Sequence, residues 1–323
     1  MIAAQNRCRS IKGLCSPSPS TTPGRLQHAA HHALTRRRLL WIGTASIGGY
    51  LSDTVGEALA QNAAAARSAM DQVVPKDGVT LNVSFGDAIQ RLIAADALDP
   101  DKFEAQYRST GGLPAWTARL LRTPSREPIL FSNQTAPYLL NLLWPLGLAA
   151  KMRINRQSPL NTLRLPSFAS TGGWSLGKMQ SGYVYFNAVD ALALSGKQEA
   201  LVHEAATKTF RPCCDNSTFF QDCNHGSALL GLMELAASQG ATLDEIYRGA
   251  LAANSYWFPD KYVLTALYFM RAGHPRWNSV EPAVVLGHEF SSLSGWEQNV
   301  NAPLLSAHVR LPSDVASQLA CGI

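Results

Sequence analysis

Apolar and polar residues recur at helical spacing over most of the chain beyond residue 80. This spacing is typical of amphipathic helices that bury one face against a core. Only the stretch 79–84 (Val-Thr-Leu-Asn-Val-Ser) alternates with the period that indicates a short strand. The pattern predicts a mainly α protein, either an irregular helical domain or two small helical subdomains with long loops. The predicted helices cover 88–97, a segment that begins at Asp99, 114–121, 135–150, 197–210, 227–238, 242–257 and 262–272.

Three of these helices carry further signals. The Asp-Pro-Asp run at 99–101 combines an N-cap residue, a proline at the first helical position and an acid in the first turn. Thr242 and Glu245 have the spacing of a capping box. The most hydrophobic stretch, 135–150, is predicted to be a core helix that is kinked or ended at Pro145. It is too short for a membrane span, which needs about 20 apolar residues.

A long segment rich in turn residues, 153–182, separates the helices into two groups. Segments of this length without regular structure are functional or linking in compact domains. The sequence therefore predicts an N-terminal helical part at 61–152, a linker or lid loop at 153–182, and a C-terminal helical part at 183–323. Trp174 follows two glycines in the middle segment and is a candidate lid residue over the cysteine-rich loop described below.

The first 60 residues have the features of an export signal. The run Thr35-Arg-Arg-Arg-Leu-Leu40 opens a short apolar stretch, and Ala58-Leu-Ala60 has the small-x-small pattern of a cleavage site before Gln61. The paired arginines resemble a twin-arginine (Tat) leader, which a receptor reads. This resemblance implies export to the periplasm or beyond, Tat machinery as a partner, and passage of the folded protein, often with a cofactor already inserted.

Removal of this leader changes the charge of the chain. The leader holds seven of the 28 Lys and Arg residues and two of the 23 acidic residues, so the remainder has no net charge. The overall value of +5 therefore belongs to the targeting segment. A neutral mature chain gives no support for binding nucleic acid or an anionic membrane.

Candidate chemistry is concentrated in one loop, residues 211–226, which reads Arg-Pro-Cys-Cys-Asp-Asn-Ser-Thr-Phe-Phe-Gln-Asp-Cys-Asn-His-Gly. Thiolates and an imidazole are ligands that Zn, Cu and Fe sites use. We predict that one transition-metal ion binds here, with Asp215 or Asp222 as an outer partner and His203 as a possible extra ligand. The predicted ligands are Cys213, Cys214, Cys223 and His225.

Two other interpretations of the loop stay open. In the first, Cys223 pairs with a loop cysteine and another loop cysteine pairs with Cys321, as suits an oxidising compartment. The protein would then be a non-catalytic, disulfide-stapled envelope binding protein. In the second, a thiolate near the start of the helix at 227–238 has a lowered pKa and is redox-active.

The sequence carries no recognisable hydrolase triad, phosphate loop or dinucleotide fingerprint. The motif Cys-Cys-x8-Cys-Asn-His-Gly, with Ser255-Tyr-Trp-Phe-Pro259 after it, resembles a set of uncharacterised bacterial proteins over residues 79 to about 262. That resemblance implies no activity. The leading function is therefore binding of a metal or metallocofactor, with redox activity as an option, and whether the protein is an enzyme is left open.

Overall fold

The computed structural model describes residues 47–320 with the exception of Gly173, and the side chains from Glu57 onward with the exception of Ala58. The predicted leader motif at 35–40 and Cys321 lie outside the described residues. The cleaved export signal therefore stays a prediction.

The described chain is mainly α-helical, as the pattern predicts. Its one small sheet is antiparallel and pairs β1 (Val79–Thr80) with β2 (Leu130–Phe131), with Val79 opposite Phe131. The helices are α1 (Ile47–Val73), α2 (Ala88–Ala94), α3 (Pro100–Tyr107), α4 (Ala115–Leu120), α5 (Ala136–Ala149), α6 (Ala169–Gly172), α7 (Gly196–Lys208), α8 (Asn224–Ser238), α9 (Leu243–Trp257), α10 (Pro259–Arg271), α11 (Pro282–Val285), α12 (His288–Ser291), α13 (Leu293–Trp296), α14 (Ala302–Ser306) and α15 (Ser313–Ala320).

The predicted capping signals are present at the helix starts. Asp99 accepts hydrogen bonds from the backbone N–H groups of Asp101 and Lys102, and thereby satisfies two donors that have no partner within α3. Thr242 and Glu245 form the reciprocal capping box of α9. Pro145 does not end α5, which continues to Ala149, so the alternative of a helix that stops at this proline is wrong.

Helices α5 and α8 form the most extensive helix contact in the described chain, and small residues set their distance. A Cβ atom added at Gly147 would lie 1.9 Å from the carbonyl oxygen of Ser227, and one added at Gly231 would lie 2.5 Å from that of Leu143. Only glycine allows two helix backbones to approach so closely. The Ser227 hydroxyl also donates to the Trp144 carbonyl, at 3.2 Å. This crossing therefore positions the first turn of α8.

These two helices come from the two parts that the sequence predicts on either side of 153–182. Residues 62–323 form one compact unit. The predicted boundaries stay predictions, because packing alone does not say whether either part folds by itself. No helix in the described part of the chain is long and apolar enough to cross a membrane.

The segment 153–182 contains short helical turns and packs against residues 218–222. The backbone N–H of Ser170 donates to the carbonyl of Asp222 at 3.0 Å, and the Ser158 hydroxyl donates to that of Phe219 at 3.1 Å. Trp174 itself is buried beside the rings of Trp144 and Tyr185, so it belongs to the core.

Helix α8 is buried along most of its length and carries one acidic residue, Glu234, whose side chain is fully buried. Burial raises the pKa of this carboxyl well above its ordinary value, and contact with Asn155 opposes that shift. Glu234 is therefore held as a neutral acid over a wider pH range than an exposed glutamate.

Candidate metal centre

The cysteine-rich loop runs from the end of α7 to the start of α8. Cys223 is the N-cap residue of α8, with an extended backbone, and its Sγ accepts the N–H of Gly226 at 3.4 Å. The helix starts at Asn224, three residues before its predicted start. The pattern missed this first turn because cysteine is not among the usual N-cap residues. His225 lies in that turn, as expected.

A single buried arginine organises the loop. The side chain of Arg211 is fully buried and donates to the carbonyls of Asn216 and Ser217 at 2.9 Å each, and to that of Phe220 at 3.2 Å. It also forms an ion pair with Asp222 and donates from Nε to Cys223 Sγ at 3.2 Å. A guanidinium satisfies this many acceptors because its donors spread in a rigid planar fork.

Gly226 makes room for this arginine. An added Cβ would lie 2.5 Å from Cζ of Arg211, a separation that side chains do not tolerate. Asp222 is fixed on its other oxygen by Asn216, whose Nδ2 donates at 2.8 Å. Both carboxylate oxygens of Asp222 are thus engaged within the loop.

The two sulfur atoms of Cys213 and Cys223 lie 3.8 Å apart. Two thiolates bound at about 2.3 Å to one tetrahedral ion have their sulfurs about 3.8 Å apart, whereas a disulfide needs about 2.05 Å. Ligand atoms of Cys213, Cys223 and His225 all lie within 4.8 Å of one another, and so do those of Cys214, Asp222 and Cys223. Cys223 is shared by both groups.

The surroundings shift the pKa values of the three cysteines in different directions. Hydrogen bonds from the thiols of Cys213 and Cys214 hold the pKa of Cys223 well below its ordinary value, and the charge of Arg211 adds to the effect. Hydrogen bonding to the other two sulfurs, together with burial, raises the pKa of Cys213 well above its ordinary value. The hydrogen bond with Cys213 alone would lower the pKa of Cys214. The hydrogen bond with Cys223 and burial outweigh it, so the pKa of Cys214 is raised above its ordinary value. Of the three cysteines, Cys223 is therefore the one whose thiolate form is favoured by its surroundings.

His225 is held by aromatic residues at the end of α9. Its ring lies 4.6 Å from that of Phe258 and 6.0 Å from that of Trp257, between centroids, and its backbone N–H donates to Oδ1 of Asn224 at 3.0 Å. Cys213, Cys223 and His225 are all partly exposed, while Cys214 is buried. A ligand that arrives from solvent therefore reaches the first group more easily than the second.

Other candidates from the sequence lie outside this cluster. His203 packs edge-on against Phe219 and belongs to neither group of potential ligands. Asp215 is exposed and accepts the backbone N–H of Ser294 at 2.7 Å. Burial alone would raise its pKa, but the hydrogen bonds from Ser294 lower it. The described cysteines of the loop are all free, and the predicted pairing with Cys321 falls outside the described residues.

Sequence reasoning missed Arg211 and the segment that supports the loop from outside. The backbone N–H of Leu293 donates to the carbonyl of Cys214 at 3.0 Å, which ties the loop to α13. An arginine next to Pro212 and the cysteine pair was the available signal, since a cation close to cysteines can pair with a thiolate.

No protein-family model, curated protein or solved structure matches this chain.

Proposed function

We propose that this protein binds one transition-metal ion through Cys213, Cys223 and His225. The observation that carries the proposal is the separation of 3.8 Å between the two sulfurs, with a His225 ring nitrogen within 4.8 Å of both. Two thiolates and an imidazole suit Zn, Cu or Fe, and three protein ligands leave a fourth position for water, substrate or another ligand.

Asp222 fits the role of an outer partner in this proposal. Its oxygens accept from Arg211 and Asn216, and a carboxylate so engaged orients its surroundings better than it coordinates an ion. Cys214 is buried and shares its group of potential ligands with Asp222. We therefore place Cys214 behind the site, in contrast to the four-ligand set that the sequence alone predicts.

We propose further that the protein acts outside the cytoplasm, after export in a folded state. The support is the twin-arginine pattern at 35–40 together with a cleavage pattern at 58–60. The bonds of Arg211 within the loop also connect its two ends, which suits passage as a folded unit.

Elemental analysis with a free-thiol count on the purified protein tests the metal site. We expect a single equivalent of metal, which is lost in Cys223→Ala and in His225→Ala. Cys214→Ala is the matched control, since it removes a thiol of the same loop outside the proposed ligand set. Retention of metal in Cys214→Ala supports the three-ligand site, and its loss would favour the four-ligand set. Absence of metal from wild-type protein purified under reducing conditions would refute the proposal.

A second candidate function is thiol redox chemistry between Cys213 and Cys223. The same contact of 3.8 Å and the thiolate character of Cys223 favour it. The Cys223 thiolate would attack an external disulfide and release one thiol, and Cys213 would then displace the second thiol as the internal disulfide forms. Incubation with oxidised glutathione followed by peptide mapping checks this: a 213–223 disulfide supports it, and no change in free thiols refutes it.

A further inference from the structure

A cavity of about 570 Å³ lies at the other end of α5 from the α8 crossing, between α4 and residues 123–130. Its floor consists of buried apolar side chains, namely Phe85, Leu120, Ile129 and Leu139, and Trp116 forms part of its wall. This volume falls in the range of about 300–1,000 Å³ that is typical of small-molecule sites.

Backbone hydrogen bonds anchor one wall of the cavity. Ser125 exchanges two backbone hydrogen bonds with Gly86, at 2.8 and 2.9 Å. Ile129 donates to the carbonyl of Val83 at 2.8 Å and accepts from Leu81 at 2.8 Å. Two prolines, at 124 and 128, each directly precede one of these anchors, Ser125 and Ile129, and restrict the backbone there. A cavity with such a wall loses little conformational entropy when a ligand enters it.

The rim of the cavity is cationic. Arg119 and Arg126 both line it, against a single acid, Glu127. Arg119 approaches Glu127 only at 4.0 Å, with both side chains mostly exposed. Arg126 is exposed and has no ion pair or hydrogen bond within the described part of the chain. One guanidinium is therefore available to an anion at the mouth of an apolar cavity.

We infer that this cavity binds a free medium-chain carboxylate, with the chain on Phe85, Leu120 and Leu139 and the carboxylate at Arg126. An apolar floor matches the hydrocarbon chain, and a guanidinium presents two parallel N–H groups to a carboxylate. The inference is independent of the metal centre, because no residue of the cysteine loop lines the cavity.

Calorimetric titration of the purified protein with hexanoate, octanoate and decanoate tests the inference. Each additional buried methylene should tighten binding about fourfold, so decanoate should bind about fifteenfold more tightly than octanoate. Decanol should bind about two- to fivefold more weakly than decanoate, because it lacks the charge that Arg126 pairs with. Binding that does not depend on chain length, or equal binding of decanol, would overturn the inference.

Paired variants place the binding in this cavity. Arg126→Gln should weaken decanoate binding about two- to fivefold, whereas Arg122→Gln, an exposed neighbour that does not line the cavity, should leave it unchanged. Leu130→Glu puts a charge into the wall at a side chain that is 38% exposed, and should weaken binding about tenfold or more. Its control is Leu163→Glu, at a fully exposed leucine outside the cavity.

Thermal unfolding of each variant shows that a loss of binding is not a loss of fold. Decanoate binding that survives Leu130→Glu unchanged would overturn the inference. Sedimentation of the wild-type protein adds a further outcome: a dimer that Leu130→Glu dissociates would make this face an interface between copies of the chain, which contradicts a small-ligand site.

Discussion

Replacement of Arg211 by methionine is the most direct test of how the cysteine loop is built. Methionine keeps much of the side-chain length and apolar volume but removes every donor. The substitution leaves Asp222, whose side chain is 5% exposed, without its cation, and leaves the carbonyls of Asn216, Ser217 and Phe220 without that donor.

The expected loss of stability is large because both members of the ion pair, Arg211 and Asp222, are buried. Removal of one partner of a buried ion pair costs about 3–5 kcal/mol, because the remaining charge is uncompensated. The three partly buried carbonyls that lose their donor add a smaller cost, because a full penalty of about 1–3 kcal/mol applies only to a fully buried group. Since the whole free energy of unfolding of a domain is about 5–15 kcal/mol, we expect Arg211→Met to remove a third of it or more.

Urea unfolding followed by tryptophan fluorescence measures this loss. Arg248→Met is the matched control, because Arg248 pairs with Asp244 on the surface of α9, with side chains 61% and 56% exposed. That exposed pair should contribute less than about 1 kcal/mol. A thiol reagent gives a second readout: the buried Cys214 should react faster in Arg211→Met than in the wild type. If Arg211→Met and Arg248→Met lower stability equally, Arg211 does not organise the loop.

Two further substitutions test the surroundings of the site. Gly147→Ala forces α5 away from α8 and should lower the melting temperature, with a loss of stability of about 1–3 kcal/mol. Gly249→Ala is the control: its added Cβ meets only Leu81, at 3.4 Å, so it should stabilise α9 by up to about 1 kcal/mol. Equal effects of the two substitutions on the melting temperature would contradict the close crossing of α5 and α8. Because the pKa of Glu234 is raised, the folded state keeps a proton that the unfolded state releases above about pH 4.5. The free energy of unfolding therefore falls above that pH, by up to about 1.4 kcal/mol per pH unit, until the pH passes the pKa of the folded state. Glu234→Gln should remove this slope in urea unfolding at several pH values, and an unchanged slope would show that Glu234 is ionised in the folded protein.

Eight of the described helices of this protein, α2 to α5 and α7 to α10, follow from local patterns. Asp99 and the pair Thr242 and Glu245 begin α3 and α9 because their side chains satisfy backbone donors a few residues away, which requires no other part of the chain. Amphipathic spacing is likewise a local property, so the mainly α class could be predicted without any tertiary contact. The cysteine and histidine residues of the loop were identified for the same reason, since they lie within 13 positions of one another.

The ligand set and the support of the loop depended on contacts between distant residues. The choice of Cys213 over Cys214 rests on Cys214 being the buried residue of the pair. Cys214 is also tied to α13, because the backbone N–H of Leu293, about 80 residues further on, donates to its carbonyl. Glycine within a helix lowers its stability. Gly147 and Gly231 nevertheless allow the close approach that places the first turn of α8. The chain alone therefore determined eight of the described helices and where the reactive residues cluster, because both depend on neighbours in sequence. The short helices α6 and α11 to α15 were not predicted. Only the tertiary structure decided which of those residues face solvent together and what holds them, because burial and charge compensation are properties of the packed molecule.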